Sequence, residues 1–412
     1  MEGGTPLLYR LPSLAASSTP LRGRLPGVDR VLGVDPEAAE LFVRTTKREV
    51  LALDLESGRI DTVATDVQLA TLGPDGTVFA VDGKRRISTL SRRVRLTWPR
   101  PLEGDPRSLF GATNERLVAT IGGDRPALVV AVADQPPVTR PLPGDGDLAA
   151  SRWGDLVAVA SDSGVTLLDP LGRREPGFVR IADHPRALLF SPSGHRVYVG
   201  SRAGLGLAVI DRYSLREIDG VALPTPTAAL RLDPFGQWLI ARPMFGDSAW
   251  VVDLPIKRLV GGLPTPWQSD LPAVSPDGSL LLRHGADVVA VRPDSLTETG
   301  RVAGGAADLW VPTDWSPRGA YTSTSPGEAA VADDSAGTEG PLFVQVSVSR
   351  NQNWSSQMAE QLTRAGLPAK VLPPASAEEG FRVVLGPYRT RAEAEGIGRK
   401  LGRPYWIYHP GQ

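Results

Sequence analysis

Cysteine is absent from the 412 residues, which excludes disulfides, thiolate metal sites and cysteine nucleophiles and is compatible with a reducing or an oxidising compartment. Histidine is nearly as scarce. Only His184, His195, His284 and His409 occur, no two of them at a metal-ligand spacing, so metal sites built from histidine and carboxylates find no support and no cofactor is expected. Excess charge is missing too: the net charge is −1, which gives no electrostatic reason to expect nucleic acid or an anionic membrane as a partner. Nearly all basic residues are arginine, read here as a habit of composition. No run of eighteen apolar residues occurs, and Met1-Glu2-Gly3-Gly4-Thr5-Pro6 lacks the basic region and apolar stretch of an export signal, so no membrane-spanning segment is expected in the chain as written.

What the chain does have is a recurring four-residue phrase. Its cleanest copy is Ser275-Pro276-Asp277-Gly278, and related phrases start at Asp35, Gly73, Gly111, Ser151, Ser191, Asp233 and Ser316. The starts are 38, 38, 40, 40, 42, 42 and 41 residues apart. Proline in the second place presets φ and glycine in the fourth accepts positive φ, so each phrase reads as a strand-to-strand turn. An apolar run follows each turn, as in Arg196-Val197-Tyr198-Val199. A second run then ends near an acid, as in Leu207-Ala208-Val209-Ile210-Asp211.

Short strands broken by Gly, Pro, Asp and Ser, in units of about 40 residues, predict a mainly β chain whose residues 5–325 form a β-propeller. The strand before each turn is innermost, the two apolar runs come next, and a more polar strand lies outermost. Eight phrases give eight blades, with seven as the alternative because the phrases at Gly111 and Ser151 are degenerate. The eighth phrase is truncated, and the strands it lacks are supplied from the other end by Pro6–Pro12 and Thr19–Arg24, so both termini close the ring. Ser191-Pro192-Ser193-Gly194-His195-Arg196-Val197-Tyr198-Val199-Gly200 and Ser275–Leu282 resemble YVTN and WD-repeat-like propellers. That likeness implies a fold and no function. Residues 326–340 are small and acidic and read as a flexible linker.

Beyond the linker the pattern changes. Strands are predicted at Leu342–Val348, Lys370–Leu372, Phe381–Leu385 and Tyr405–Tyr408, with helices over Asn353–Ala365 and from the capping box at Thr390-Arg391-Ala392-Glu393. The order is βαββαβ, a ferredoxin-like α+β module over 341–410 with one sheet face open. Alternation sends Val344, Val346, Val348, Phe381, Val383 and Leu385 inward and Phe343, Gln345, Ser347, Arg382 and Val384 outward, with Trp406 and Tyr408 on the open face as well. Amide, guanidinium and aromatic groups together suit a sugar or a base.

Phe343-Val344-Gln345-Val346, and Phe381-Arg382-Val383-Val384-Leu385-Gly386-Pro387-Tyr388 running on to Glu395, resemble the SPOR family. Membership implies binding of peptidoglycan glycan strands stripped of stem peptides, often at the division septum. By position the family's glycan-contacting glutamine falls on Gln345 and its arginine on Arg382. Its serine falls on Ser347 or Ser349 or is lost, since this chain has Ser347-Val348-Ser349 where the family continues Gly-Ser-Phe. With Phe343, Trp406 and Tyr408 as ring-stacking groups, these form the expected glycan site. The resemblance implies a periplasmic or cell-envelope location, hence an upstream signal or anchor, and a propeller that presents a surface to an unidentified protein. A propeller hydrolase is the rival reading. Its channel-mouth candidates, Asp162, Asp211, Arg242 and Asp247, are read instead as turn-capping groups, so no enzyme is expected.

Overall fold

The computed structural model describes residues 4–17, 21–91, 94–112 and 116–317, apart from 124, 134, 144, 145, 314 and 316. In the C-terminal part it describes the strands, residues 367, 368 and 373, and helical residues 352, 355, 356, 359, 362, 363, 393, 394 and 397. Two compact units are present, Met1–Ala320 and Tyr321–Gln412. The expected linker, 326–340, lies outside the described residues, as does most of the phrase at Ser316.

Among the described residues eight four-stranded antiparallel sheets form, seven in the first unit and one in the second. The chain is mainly β, and the first unit has the propeller-like arrangement that the 40-residue period predicts. Its first sheet consists of Val28–Asp35, Glu40–Thr45, Val50–Asp54 and Ile60–Ala64 in sequence order, and its seventh runs from Ala273–Val274 to Thr297–Val302. The middle strands are apolar on both faces and buried on both, as in Val78–Asp82 and Val157–Ser161, whereas outer strands such as Val94–Thr97 are exposed throughout. Strands buried on two faces need apolar residues at every position, which explains their unbroken Val, Leu and Ala runs.

The turn phrases do what their composition requires. The fourth-place N–H donates to the first-place carbonyl at Gly76, Gly154, Gly194, Gly236 and Gly278, each with positive φ. The first-place side chain ties the turn to the next strand: Asp233 Oδ1 accepts the N–H groups of Gln237 and Trp238 at 2.6 and 2.9 Å, and Ser151 Oγ those of Asp155 and Leu156 at 3.2 Å. Acids ending the third strands cap the next hairpin, as Asp211 does for Tyr213 and Ser214. Successive phrases also touch. A Cβ at Gly236 would meet Pro192 Cδ at 3.0 Å, and one at Gly154 would meet Ala112 Cβ at 2.5 Å.

The core lies between the sheets. Phe42, Val50 and Ala52 of the first sheet share a cluster with Val78, Ala80 and Leu90 of the second, and five further clusters join each sheet to the next as far as the seventh. Fully burying each such Val, Leu or Phe contributes roughly 1.5–3 kcal/mol. From the seventh sheet the packing continues to a two-stranded hairpin, Tyr9–Arg10 with Ala15–Ala16. Leu14 joins Leu271, Leu281 and Val288, with Tyr9, Leu11 and Trp310 against them. The Tyr9 and Trp310 rings are 5.3 Å apart. Leu25 and Trp315 then join the core of the first sheet. Residues from both ends of the first unit thus fill the space between its last sheet and its first.

Arginines bridge neighbouring sheets. Arg44 forks onto Asp29 and donates to Gln68 O, Arg212 donates to Asp155 Oδ2 at 2.6 Å, and Arg231 reaches Pro272 O while stacking on Trp267. Among the described residues the most buried pair is Arg283 with Asp270, at 2 % and 5 % side-chain exposure. Arg283 holds both carboxylate oxygens and also donates to Ala306 O and Asp308 O, while Asp270 accepts the Trp310 N–H at 2.8 Å.

Burial pushes the Asp270 carboxyl up, but the hydrogen bonds from Arg283 and the Trp310 N–H outweigh it and hold the group below its ordinary value. A depressed folded pKa means that this stabilisation is present above the unfolded carboxyl's value of about 4 and is lost as pH falls through the folded value. Thermal unfolding of Asp270→Asn followed between about pH 5 and 2 should show a shallower acid dependence than the parent. Arg283→Met strands a buried carboxylate and should cost about 3–5 kcal/mol in chemical denaturation. In the turns, Gly278→Ala meets nothing nearer than 3.9 Å and should cost only the left-handed strain of about 1–2 kcal/mol. Gly236→Ala should cost measurably more in the same assay, because Pro192 must also move.

Candidate functional site

The C-terminal sheet has the order Ala369–Leu372, Phe381–Tyr388, Leu342–Ser349, Trp406–Tyr408, every pair antiparallel. One face is a core: Leu342, Val344, Val383, Leu385 and Tyr388 pack with Ala359, Leu362 and Ala394 from the helical residues, and Val346, Val371 and Ile407 lie against them. Alternation of apolar and polar residues along the strands dictates this face, as the sequence predicts for Val344, Val346, Val383 and Leu385.

The other face is organised by one row across the sheet. Lys370 lies opposite Val384, Val384 opposite Gln345, and Gln345 opposite Trp406. Arg382, two residues along from Val384, reaches diagonally to donate from Nη1 to Gln345 Oε1 at 3.0 Å. The two polar residues predicted to share this face are therefore in contact. The bond fixes the guanidinium plane, and Arg382 presents a directional fork suited to carboxylate or sugar oxygens.

Two aspects of this face differ from simple alternation. Phe343 and Val384, expected outward and exposed, are 3 % and 0 % exposed. The Lys370 ammonium lies 4.1 Å from the centroid of the Phe343 ring. Because the 381–388 strand runs between theirs, the lysine stem spans it to reach the ring, and long basic side chains commonly cover apolar surface in this way. Register is the second difference. Gln345 pairs with Val384 but Ser347 pairs with Val383, a shift of one residue within the strand. Ser347 is thereby opposite a core position and Val348 opposite Arg382, the reverse of the expected phase, since a one-residue slip exchanges faces. The side chains of Ser347, Ser349, Trp406 and Tyr408 lie outside the described residues; backbone pairing puts Tyr408 beside Phe343 and Trp406 beside Gln345.

Lys370 escaped the sequence reading. Its signal was faint but present: in Ala369-Lys370-Val371-Leu372 it alternates with two residues that pack on the core, which puts it in phase with Gln345 and Arg382. No Asp or Glu occurs in any of the four strands, so the sheet carries two cations and no acid.

The candidates on the propeller do not assemble comparably. Asp211 caps a hairpin. Asp162 faces the exposed His184 at 3.5 Å, Asp247 is exposed and its carbonyl accepts the Thr265 N–H, and Arg242 is among the charges that act on Arg231. Among the described residues no three His, Asp or Glu side chains could hold a metal ion, and no helix is long and apolar enough to cross a membrane.

No curated protein sequence matches the chain. In structure it is similar to dihydro-heme d1 dehydrogenase NirN, with TM-score 0.51 at 13 % identity over 70 % of this chain and 68 % of that one. Weaker likenesses include the Myceliophteria thermophila Cps50 (Swd1) β-propeller domain, TM-score 0.43 at 12 % identity over 65 % and 95 % of the two chains. Apo AztD from Citrobacter koseri gives TM-score 0.42 at 14 % identity over 64 % and 94 %. At such identities the likeness speaks to fold alone. Residues 338–403 match the SPOR domain, the stretch that holds Phe343, Gln345, Lys370 and Arg382. The chain joins a β-propeller to a C-terminal SPOR domain.

Proposed function

We propose that the protein is a non-enzymatic component of the cell envelope that binds peptidoglycan glycan strands through the open face of its SPOR domain and displays the propeller to a protein partner. The observation that carries this reading is the contact between Arg382 and Gln345. Two residues 37 apart in sequence, matched to the family's glycan contacts, form one hydrogen-bonded pair on the uncovered side of the sheet. Arg382 donates to sugar hydroxyl or acetamido oxygens, Gln345 both orients Arg382 and offers its amide N–H groups, and Trp406 and Tyr408 supply flat apolar area for ring faces. Phe343 contributes its ring once the lysine above it moves aside, while the shifted register takes Ser347 and Ser349 out of phase with Gln345 and Arg382.

The domain follows a βαββαβ layout, with both helices against the core face and the binding face free. The propeller, on this reading, has eight blades, seven complete and the last assembled from the N-terminal hairpin and residues 310–317. The tightly packed Tyr9 and Trp310 rings support that count. The protein acts by recruitment in the periplasm, with the division septum, where peptide-free glycan is made, as its destination.

In a pull-down on purified peptidoglycan, the full chain should sediment with the glycan and the Gln345→Ala, Arg382→Ala double variant should remain in solution with an unchanged circular dichroism spectrum. Undiminished sedimentation of that variant would remove the proposed site.

A further inference from the structure

Charge is not spread evenly over the propeller. Residues 83–102, which include the two outer strands of the second sheet, hold seven Lys and Arg and no Asp or Glu, in a chain of net charge −1. Arg86 bonds Asp82 at 2.7 Å and Arg95 donates to Thr62 O at 2.8 Å. Lys84, Arg85 and Arg100 are exposed, and the Leu102 N–H bond to Arg85 O gathers them at one end of the outermost strand, Val94–Thr97. Arg92 and Arg93 precede its other end in sequence. The flanking acids are Asp82, held by Arg86, Asp66, held by Arg48 at 3.0 Å, and Glu103, so this edge keeps an excess of positive charge.

The same strand is an open edge. It pairs with Ile87–Ser91 without a break in register, and among the described residues no strand pairs with its other side. The Trp98 N–H bonds Ile87 O, so alternation turns the backbone groups of Val94 and Leu96 toward that neighbour and those of Arg95 and Thr97 outward. Val94 and Leu96 are 58 % and 47 % exposed. They share a face with Thr89, whose hydroxyl accepts the Trp98 indole N–H, which puts them beside the core shared with the third sheet. The other outer strands are blunted, as sheet edges usually are. Asp61 lies in that of the first sheet and Pro141 ends that of the third. Those of the fifth, sixth and seventh shift register against their neighbours, and Leu215 of the fifth sheet lies against Gly177 in that of the fourth.

We propose that the outer edge of the second sheet, Val94–Thr97, is the propeller's docking site for an acidic, extended segment of a partner protein, which joins the sheet as a fifth strand. The inference rests on the protein-display role proposed above and names the surface that performs it. The backbone groups of Arg95 and Thr97 pair with the incoming strand, its alternate apolar side chains pack on Val94 and Leu96, and its acids meet Lys84, Arg85 and Arg100. Charge complementarity sets the sign of the partner, and the open edge sets its conformation. A lipid surface or a nucleic acid would use the arginines and leave the outward backbone groups without a role.

The test is fluorescence polarisation of the full chain with two labelled probes, a peptide of alternating glutamate and valine and its lysine–valine counterpart. The parent should bind the glutamate peptide, and the lysine peptide about tenfold more weakly. Thr97→Pro removes an outward N–H and no bond to Ile87–Ser91, so it should weaken the glutamate peptide about tenfold and leave thermal unfolding nearly unchanged. The Lys84→Glu, Arg100→Glu double variant should weaken the glutamate peptide by a similar factor and strengthen the lysine peptide. No binding of the glutamate peptide by the parent, or undiminished binding by either variant, overturns the assignment. Undiminished binding by both variants leaves the display role standing at another surface. Inorganic polyphosphate that displaces the peptide and binds Thr97→Pro as tightly as the parent reduces the edge to a patch of charge, which also overturns it. Sedimentation of the same variants with peptidoglycan should match the parent, which keeps the glycan-binding role apart.

Discussion

A β-sheet that is apolar on both faces has no stable arrangement alone, because each face must find another apolar face. The five inner sheets of the first unit meet this constraint by sharing one core with the sheet before and another with the sheet after. Such a series can stop only where something covers its two ends or where the ends meet. Here the N-terminal hairpin and the Trp310–Trp315 segment cover both at once, with Leu14 and Trp310 on the seventh sheet and Leu25 and Trp315 on the first. The other features of the unit, its turns and its inter-sheet arginines, serve to hold sheets at the spacing this closure needs.

Much of this was legible from residues alone, because repetition amplifies a weak signal. One such turn phrase says little, while eight at near-constant spacing, five of them Pro-x-Gly, specify turn position and the polar outer strands. The acids after the third strands were readable as caps for the same reason. Inter-sheet arginines such as Arg44, Arg212 and Arg231 were not readable. Their partners are often backbone carbonyls many positions away, Gln68 O for Arg44 and Pro272 O for Arg231, and a carbonyl leaves no mark in a sequence. Phase along the middle strands was likewise silent, since Val, Leu and Ala fill both faces.

In the SPOR domain, parity placed Gln345 and Arg382 together because Gln345 lies opposite Val384, two residues from Arg382 along one strand. Parity failed at the next step, where the register slips after Gln345 and Ser347 comes opposite Val383. A bulge inserts one residue without changing composition, and nothing in Val346-Ser347-Val348-Ser349 announces it. Phe343 and Val384 illustrate a different limit. Both are buried although alternation sends them to the open face, and over Phe343 the cover is a lysine from two strands away. Alternation predicts direction, and long side chains decide accessibility.

The closure of the propeller has a mechanical side. The segment that leaves the propeller toward the SPOR domain begins at Trp310–Trp315, the same residues whose rings sit against Tyr9 and in the core of the first sheet. Tension transmitted along that segment therefore arrives at the clasp of the ring. The joint there combines side-chain packing and a two-residue strand pair with the Trp310 N–H bond to Asp270 and the Thr299 hydroxyl bond to Pro12 O. Such a load is therefore shared between residues from both ends of the first unit and the seventh sheet they are bonded to.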